Sequence, residues 1–283
     1  MKADCHIHML LDGQDWKASI ARHKESPHIP TIRNALNIYR EQGYTYLRDG
    51  GDRWGVGAAA RALAPEYGIA YRTPLAPLCK AGHYGSFIGE VYEDFKQYAH
   101  LVQQHRSAGA DFIKIMISGL MDFDHAGVLT EEGLSAEEIR ELIHIAHEEG
   151  FAVMAHCNGA RTMEAAADAG VDSIEHGAYA DADALSAMAE MQTIWVPTVS
   201  TVGNLRGAGR FDEKSVADIY EDFDKNICHF ISLGGILAPG SDAGAWAVPH
   251  GVDTEHMLLN DILGSDADAL LDFGSKAIMK RFA

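Results

Sequence analysis

The feature that most restricts the fold of this 283-residue chain is a regular alternation of strand-like and helix-like segments. The strand-like runs, in order, are ADCHIHML, YTYLRDG, IAYRTPLAPL, DFIKIMIS, FAVMAHC, DSIEHG, TIWVPTVS and GILAPGSD. Such an alternation predicts an α/β protein whose parallel strands are joined by crossover helices. An open doubly wound sheet would also fit, but a count of eight strand–helix units favours a closed (β/α)8 TIM barrel of about 250 residues.

The segments between these runs carry apolar residues at helical spacing. We predict helices over residues 31–42, 56–67, 91–107, 136–149, 160–169, 183–191, 212–233 and 254–263, with a last helix after residue 264. Ser135, followed three residues later by Glu138, has the pattern of a capping box at a helix start. No linker or low-complexity tract divides the chain, so we predict one domain over residues 1–283.

Composition restricts the class of protein. Hydrophobic residues make up 47% of the chain, enough for a sizeable core, and the formal net charge is −18. Such an acidic chain favours neither nucleic acid nor an anionic membrane as its partner. No apolar run approaches the roughly 20 residues that span a bilayer, and no signal peptide is evident. The four cysteines form no CxxC pair, so we expect a cytoplasmic protein with reduced thiols.

Polar side chains occupy the ends of several predicted strands, where the functional groups of a barrel are expected. HIH in the first strand places two imidazoles on one face, because side chains alternate along a strand. The full set, in chain order, is His6, His8, Lys114, His156, His176 and Asp242. Imidazole and carboxylate are ligands that suit Zn²⁺ and similar divalent ions. We therefore predict a metal centre.

Lys114 is the unusual member of this set, because an ammonium would be repelled by metal ions and is costly to bury unpaired. Its neutral amine can react with CO₂ to give a carbamate, an anionic group with two oxygens that can bridge two metals. The alternative is a structural lysine that pairs with a carboxylate near the barrel wall.

The ordered set of motifs resembles the amidohydrolase superfamily, in particular the branch of imidazolonepropionase-like enzymes and Xaa-Pro or Xaa-Arg/Lys dipeptidases. The matching stretches are DCHIH, GADFIKIMISG, AVMAHCNG, VDSIEHG, WVPT and LAPGSDAG. The resemblance extends from Asp4 to about Phe282. Members of this family usually carry a flanking β-sandwich module, which we expect to be missing here. Many dipeptidase-like members also place a tyrosine after the VPT strand, and VPTVSTVGNLRGAG has none.

The resemblance implies a role for each residue of the set. His6 and His8 would bind the more buried of two divalent ions together with Asp242, and His156 and His176 would bind the second. Carboxylated Lys114 would bridge the two ions, which we expect to be Zn²⁺. A hydroxide held between the metals would be the nucleophile, since metal coordination lowers the pKa of water to about 7. Asp242 would move the proton from this hydroxide to the leaving amine.

Further residues have a functional and a structural interpretation. His83, in a glycine-rich loop after the third strand, is a second predicted catalytic residue with a substrate-binding or oxyanion-stabilising role; the alternative is a histidine that stabilises the loop. Arg206 and Arg210 could hold a substrate carboxylate, or could be ordinary solvent-facing charges. Arg48 and Asp49, at the end of the second strand, could reach the substrate, but we favour a salt bridge that holds the barrel rim. Asp4 is expected to orient a histidine ligand.

The predicted function is metal-dependent hydrolysis of a C–N bond in a small molecule: an amide, a dipeptide or a cyclic amide. Two alternatives stay open. One is a metal-dependent deaminase of the same superfamily, and the other is a metal-binding barrel without catalytic activity. The sequence does not specify the substrate, and a homo-oligomer is compatible with it.

Overall fold

The computed structural model describes residues 2–283, in which parallel strands alternate with helices. The strands are β1 (Lys2–Ile7), β2 (Tyr44–Asp49), β3 (Ala70–Arg72), β4 (Leu78–Lys80), β5 (Glu90–Tyr92), β6 (Ile113–Met116), β7 (Val153–Cys157), β8 (Ser173–His176), β9 (Ile194–Val196) and β10 (Ile236–Leu237). The helices are α1 (Trp16–His23), α2 (Ile29–Glu41), α3 (Val56–Leu63), α4 (Phe95–Ala108), α5 (Ala136–Glu148), α6 (Ala160–Asp168), α7 (Ala182–Glu190), α8 (Ser200–Gly203), α9 (Glu213–Ser232), α10 (Thr254–Leu263) and α11 (Ala267–Arg281).

The strands pair in parallel within two sheets. One has the order β1–β2–β3, and the other has the order β10–β9–β8–β7–β6–β4–β5. Backbone hydrogen bonds join β1 to the chain that follows β10: Cys5 N donates to Pro239 O at 2.9 Å, and Asp242 N donates to His6 O at 2.7 Å. At the other end of the first sheet, Asp111 N donates to Thr73 O at 3.0 Å, just before β6. The α/β class with parallel strands is confirmed.

The third predicted strand is wrong in detail, because it is broken into β3 and β4. Pro74 and Pro77 lie between the two pieces and have no N–H to donate to a sheet. As a result β3 pairs with β2, whereas β4 pairs with β6 and with the unpredicted strand β5. The helix expected from residue 91 starts later, at Phe95, where the Asp94 carboxylate accepts a hydrogen bond from Gln97 N. Helices α1 and α8 were not predicted either.

Other helix boundaries agree with the sequence signals. Ser135 and Glu138 form the predicted capping box at the start of α5. Gly109 ends α4 in the left-handed conformation, with φ 76°. Apolar side chains of the strands and of the surrounding helices form three buried clusters, the largest of which contains Trp195 and Phe223. Among residues 2–283, no helix is long and apolar enough to cross a bilayer.

The C-terminal helix α11 lies directly on the backbone of β10, and Gly274 permits this approach. A Cβ atom at Gly274 would lie 1.8 Å from Leu237 O and 2.9 Å from Ala238 Cα, both backbone atoms that cannot rotate away. In an exposed helix interior, Gly→Ala would stabilise the helix by about 1 kcal/mol. Here the added methyl group must push α11 off the sheet.

We expect Gly274→Ala to lower the free energy of unfolding by about 1–3 kcal/mol, the usual cost of overpacking a core. Urea unfolding followed by circular dichroism measures this change. Phe273→Ala is the control, because the neighbouring Phe273 side chain is 60% exposed and its loss should change stability far less. An unfolding midpoint for Gly274→Ala equal to or above the parent value would contradict this account of the helix–sheet contact.

Candidate active site and metal centre

The structure brings His6, His8, Lys114 and Asp242 together, with His6 in β1, His8 just after it, Lys114 in β6 and Asp242 in the chain that follows β10. His6 Nε2 lies 3.4 Å from His8 Nε2 and 3.1 Å from Lys114 Nζ. Asp242 Oδ1 lies 3.5 Å from His6 Nε2 and 3.4 Å from His8 Nε2. One ligand atom from each of His6, His8 and Asp242 lies within 4.8 Å of the other two, and all three residues are buried. This spacing and donor chemistry suit a divalent ion.

His156 and His176 lie beside this cluster. Their ring centroids are 4.6 Å apart, and the His176 centroid is 5.1 Å from that of His6. His176 Nδ1 is 2.8 Å from Thr198 Oγ1, so Nε2 is the ring nitrogen left for other contacts. His156 Nε2 lies 3.1 Å from Gly119 O. All six side chains of the predicted ligand set therefore meet in one region.

Burial controls the charge of the four imidazoles. The pKa values of His6, His8 and His176 are lowered well below the ordinary value, because burial penalises the charged ring and the Lys114 ammonium adds repulsion. For His156 the same two causes lower the pKa to about 3. These rings are thus neutral near pH 7, the form in which imidazole binds a metal.

Burial shifts the pKa values of both Lys114 and Asp242 toward the neutral form, and the charge of each group opposes the shift of the other. Burial lowers the pKa of Lys114 to about 8, and the nearby carboxylates of Glu175 and Asp242 oppose this shift. Burial raises the pKa of Asp242 to about 7, and the Lys114 ammonium opposes that shift. Lys114 is 1% exposed, and within residues 2–283 no carboxylate lies at hydrogen-bond distance from it. Its Nζ instead contacts His6 Nε2, at 3.1 Å.

Two residues of the predicted ligand set have a strained backbone. His176 and Asp242 have φ values of 67° and 57°, in the left-handed region that costs a residue with a side chain about 1 kcal/mol or more. Ser241 supports this conformation beside Asp242, since its N and Oγ donate to the Asp4 carboxylate at 2.9 and 2.5 Å. The expectation that Asp4 orients a histidine ring is therefore wrong: its oxygens are taken by Ser241 and by the backbone N–H of His6.

Glu175 is the carboxylate that orients a histidine, and the sequence reasoning missed it. Its Oε2 lies 2.7 Å from His6 Nδ1, so His6 Nε2 faces the cluster. Arg48 Nη2 donates to Glu175 Oε1 at 2.8 Å, and both side chains are fully buried. Burial raises the pKa of Glu175, and the Arg48 guanidinium opposes the rise. The signal in the sequence that could have revealed this role is the glutamate itself, a charged residue inside the predicted core strand DSIEHG.

Of the two residues expected to form a salt bridge at the barrel rim, Arg48 does so, with the buried Glu175, and Asp49 does not. Adjacent residues on a strand point to opposite faces, so Arg48 reaches Glu175 across the interior, whereas Asp49 accepts hydrogen bonds from Met9 N and Thr73 Oγ1.

A largely apolar cavity of about 430 Å³ opens onto the cluster, within the range of small-molecule sites. It is lined by His8, Leu11, Gln14, Trp16, Tyr84, Phe87, Ile88, Leu120, Met121, Phe123, Asn158, His176, Thr201, Leu205, Arg210, Phe211, Asp242, Gly244, Ala245 and Trp246. His83 is not in this lining; its Nδ1 lies 3.6 Å from Glu131 Oε1. Its neighbour Tyr84 does line the cavity, and the centroid of the Tyr84 ring lies 4.8 Å from that of His156.

Two buried polar atoms in the cluster lack a hydrogen-bond partner among the described residues: His8 Nδ1 and Asp242 Oδ1. An unpaired carboxylate oxygen is expensive to bury, and a metal ion is one group that would compensate for this cost. The donor set thus fits a divalent ion on the basis of its own geometry.

Comparison with known proteins adds the family. The model of the Amidohydrolase family matches residues 56–281, most of the chain. Among curated proteins, ochratoxinase from Aspergillus niger is 24% identical over 234 residues, which cover 70% of this chain and 47% of that protein. The chain therefore spans about half the length of this relative.

Solved structures show the same fold. A Xaa-Pro dipeptidase with methionine bound in its active site superposes with a TM-score of 0.79 at 22% identity, covering 99% of this chain and 75% of that one. The A. niger ochratoxinase structure gives a TM-score of 0.75 at 20% identity, covering 98% of this chain and 68% of that one. With the family model matched over residues 56–281, the chain belongs to the amidohydrolase family.

Proposed function

We propose that this protein is a metal-dependent hydrolase that cleaves an amide or similar C–N bond of a small molecule. Dipeptides and cyclic amides belong to this class of substrate. The observation that carries the proposal is the buried cluster of His6, His8 and Asp242, with Lys114 in contact, at the base of an apolar cavity. Membership of the amidohydrolase family supports the reaction class.

The residues at hand suit two divalent ions. His6, His8 and Asp242 would hold one, His156 and His176 would hold the other, and Lys114, carboxylated by CO₂, would bridge them. When bound, such ions, of which Zn²⁺ is the best match to the donor set, make a water acidic enough to lose its proton near neutral pH and polarise the scissile carbonyl.

The protein's own side chains perform the remaining steps. Asp242 accepts the proton of the attacking water and delivers it to the leaving nitrogen, which otherwise departs as an unstable anion. Glu175 and Thr198 hold Nδ1 of His6 and His176, so that Nε2 of each ring faces the centre. The apolar walls exclude bulk water and strengthen every charge interaction inside. His83 lies next to Tyr84, which lines the cavity, and we propose that His83 stabilises the substrate from this loop.

We also propose that the strands form one closed barrel over residues 1–283. The backbone hydrogen bonds between β1 and the chain after β10 support closure on one side, and the bond from Asp111 to Thr73 supports it on the other. In such a ring all carboxyl ends of the strands meet at one mouth, which explains why ligands so distant in the sequence converge.

Metal removal tests the proposal. Activity against a panel of N-acyl amino acids, dipeptides and cyclic amides should vanish with a chelator and return with Zn²⁺, with metal content measured by mass spectrometry. Lys114→Met should lower kcat/KM by about 100-fold or more and reduce bound metal, since even supporting residues of metal sites are worth 10- to 100-fold. Lys280→Met, on the exposed face of α11, is the matched control and should leave both unchanged.

Labelled bicarbonate and ¹³C NMR would report the carbamate in the parent protein and its loss in Lys114→Met. Three outcomes would overturn parts of the proposal. Ammonia release from purine or guanidine-type substrates without amide cleavage would indicate a deaminase. Bound metal with no turnover on any substrate would indicate a catalytically silent barrel. Full activity of Lys114→Met would remove the bridging role.

A further inference from the structure

The structure assigns a specificity site to the mouth of the cavity: Arg210, stacked on Trp246 beside Phe211, binds a carboxylate of the substrate while the surrounding aromatic side chains hold a ring or another large apolar group. This inference rests on the proposed hydrolase function and goes beyond it by naming the substrate class. The class is an amide that carries both a free carboxylate and a bulky apolar group.

Charge is the first line of support. Within residues 2–283, Arg210 is the one arginine or lysine that lines the cavity, and Asp242, at the metal cluster, is the one carboxylate. The protein as a whole has a net charge of −18, yet the Arg210 guanidinium has no carboxylate partner among those residues. A cation that an acidic protein leaves unpaired at a cavity is available to an anionic ligand.

The geometry of Arg210 favours a carboxylate. Its guanidinium carbon lies 3.8 Å from the centroid of the Trp246 ring and 5.3 Å from that of Phe211. Stacking on Trp246 covers a flat face of the guanidinium and leaves its N–H edge free to donate two parallel hydrogen bonds. A carboxylate accepts such a pair of hydrogen bonds, whereas a neutral carboxamide or ester accepts it poorly.

Aromatic side chains supply the second line of support. Phe211 lies between two other rings of the lining, with its centroid 6.2 Å from that of Trp246 and 5.2 Å from that of Phe123. Across the lining, Trp16 meets Phe87 at a centroid distance of 5.5 Å. Trp16 and Trp246 are 48% and 38% exposed, and with the neighbouring phenylalanines they form a contiguous aromatic surface at the cavity, the kind of surface that marks ligand-binding grooves.

The same loop provides a matched control for Arg210. Arg206 is also stacked on a ring, 3.9 Å from the centroid of Tyr220, but it is absent from the cavity lining. Arg206 and Arg210 therefore share charge, loop and stacking, and they differ in access to the cavity. The effect of removing each one separates carboxylate binding from general loss of positive charge.

Binding is measured first, on the Asp242→Asn variant, in which the probes are hydrolysed slowly enough for titration. The probes are N-benzoyl-phenylalanine, its carboxamide and N-acetylglycine, titrated by calorimetry. We expect N-benzoyl-phenylalanine to bind at least about 10-fold tighter than its carboxamide. Arg210→Met should remove this difference by weakening the acid about 10- to 100-fold, the value of a charged hydrogen-bonded pair. Arg206→Met should change neither affinity.

Turnover is measured second, with the same acid and carboxamide on proteins that retain Asp242. Arg210→Met should raise KM for the acid and leave the carboxamide unaffected, and Trp246→Ala should reduce the preference for N-benzoyl-phenylalanine over N-acetylglycine. Equal affinity of Asp242→Asn for the acid and the carboxamide would overturn the inference. An equal loss of affinity for both probes on adding Arg210→Met would overturn it as well. Selective binding with no hydrolysis of any amide would instead overturn the proposed function alone.

Discussion

Asp242→Asn should reduce kcat/KM for amide hydrolysis by about 10³-fold while the protein stays folded, the usual size of a general acid–base contribution. The amide side chain has nearly the same shape as the carboxylate, but it cannot accept a proton from water or return one to the leaving nitrogen. It also replaces the anionic oxygen that lies 3.4–3.5 Å from His6 and His8. His8→Ala should abolish turnover as well, chiefly through loss of bound metal.

Asp172→Asn provides the matched control for Asp242→Asn. Asp172 is also a buried carboxylate, but it lies just before β8, at the end of that strand away from His176. There it accepts a hydrogen bond from Val153 N and pairs with Arg281 and His147. The same chemical change there should leave kcat/KM within a small factor of the parent. Steady-state kinetics, metal analysis and circular dichroism together test this pair. Full activity in both Asp242→Asn and His8→Ala would remove the cluster from the mechanism.

The largest effect on stability is expected for Arg48→Met, about 3–5 kcal/mol in the free energy of unfolding. Methionine fills much of the volume but leaves the Glu175 carboxylate fully buried without its guanidinium partner. Hydrogen bonds from Arg48 to Cys5 O and Ser173 Oγ are lost too. Because Glu175 also holds His6, activity should fall together with stability.

The double variant Arg48→Met/Glu175→Gln tests the physical reason. If an unpaired buried charge causes the loss, removing that charge should restore part of the stability, even though two hydrogen-bonding groups have been changed. Arg33→Met is the control, since the Arg33–Glu66 pair has the same chemistry but lies in solvent. Urea unfolding of all three proteins measures the effects. If Arg48→Met lowers the free energy of unfolding no more than Arg33→Met does, burial of the Arg48–Glu175 pair does not determine its contribution to stability.

Much of the architecture could be predicted from the sequence because local signals encode it. The alternation of apolar runs with helical spacing predicts a parallel α/β fold, and Ser135 with Glu138 marks the start of α5 correctly. The amidohydrolase family could also be recognised, since its ligand types recur in order at strand ends. The break between β3 and β4 escaped prediction, because Pro74 and Pro77 sit inside a run that is otherwise typical of a strand.

Pairs of residues that are distant in the chain required the tertiary structure. Arg48 and Glu175 are separated by more than a hundred residues, and no local pattern indicates that they form an ion pair beside His6. Arg210 and Trp246 likewise come from separate loops, and the sequence did not distinguish Arg210 from Arg206 as a candidate for binding a carboxylate.

The sequence by itself determined the alternation of parallel strands with helices, the family and the types of side chain at the strand ends, because periodicity, capping and residue chemistry are local properties. The tertiary structure alone decided which carboxylate supports His6, that Asp4 supports the backbone beside Asp242, and which arginine faces the cavity. Those choices depend on the angles at which strands and loops approach each other, and close packing of the whole chain determines these angles.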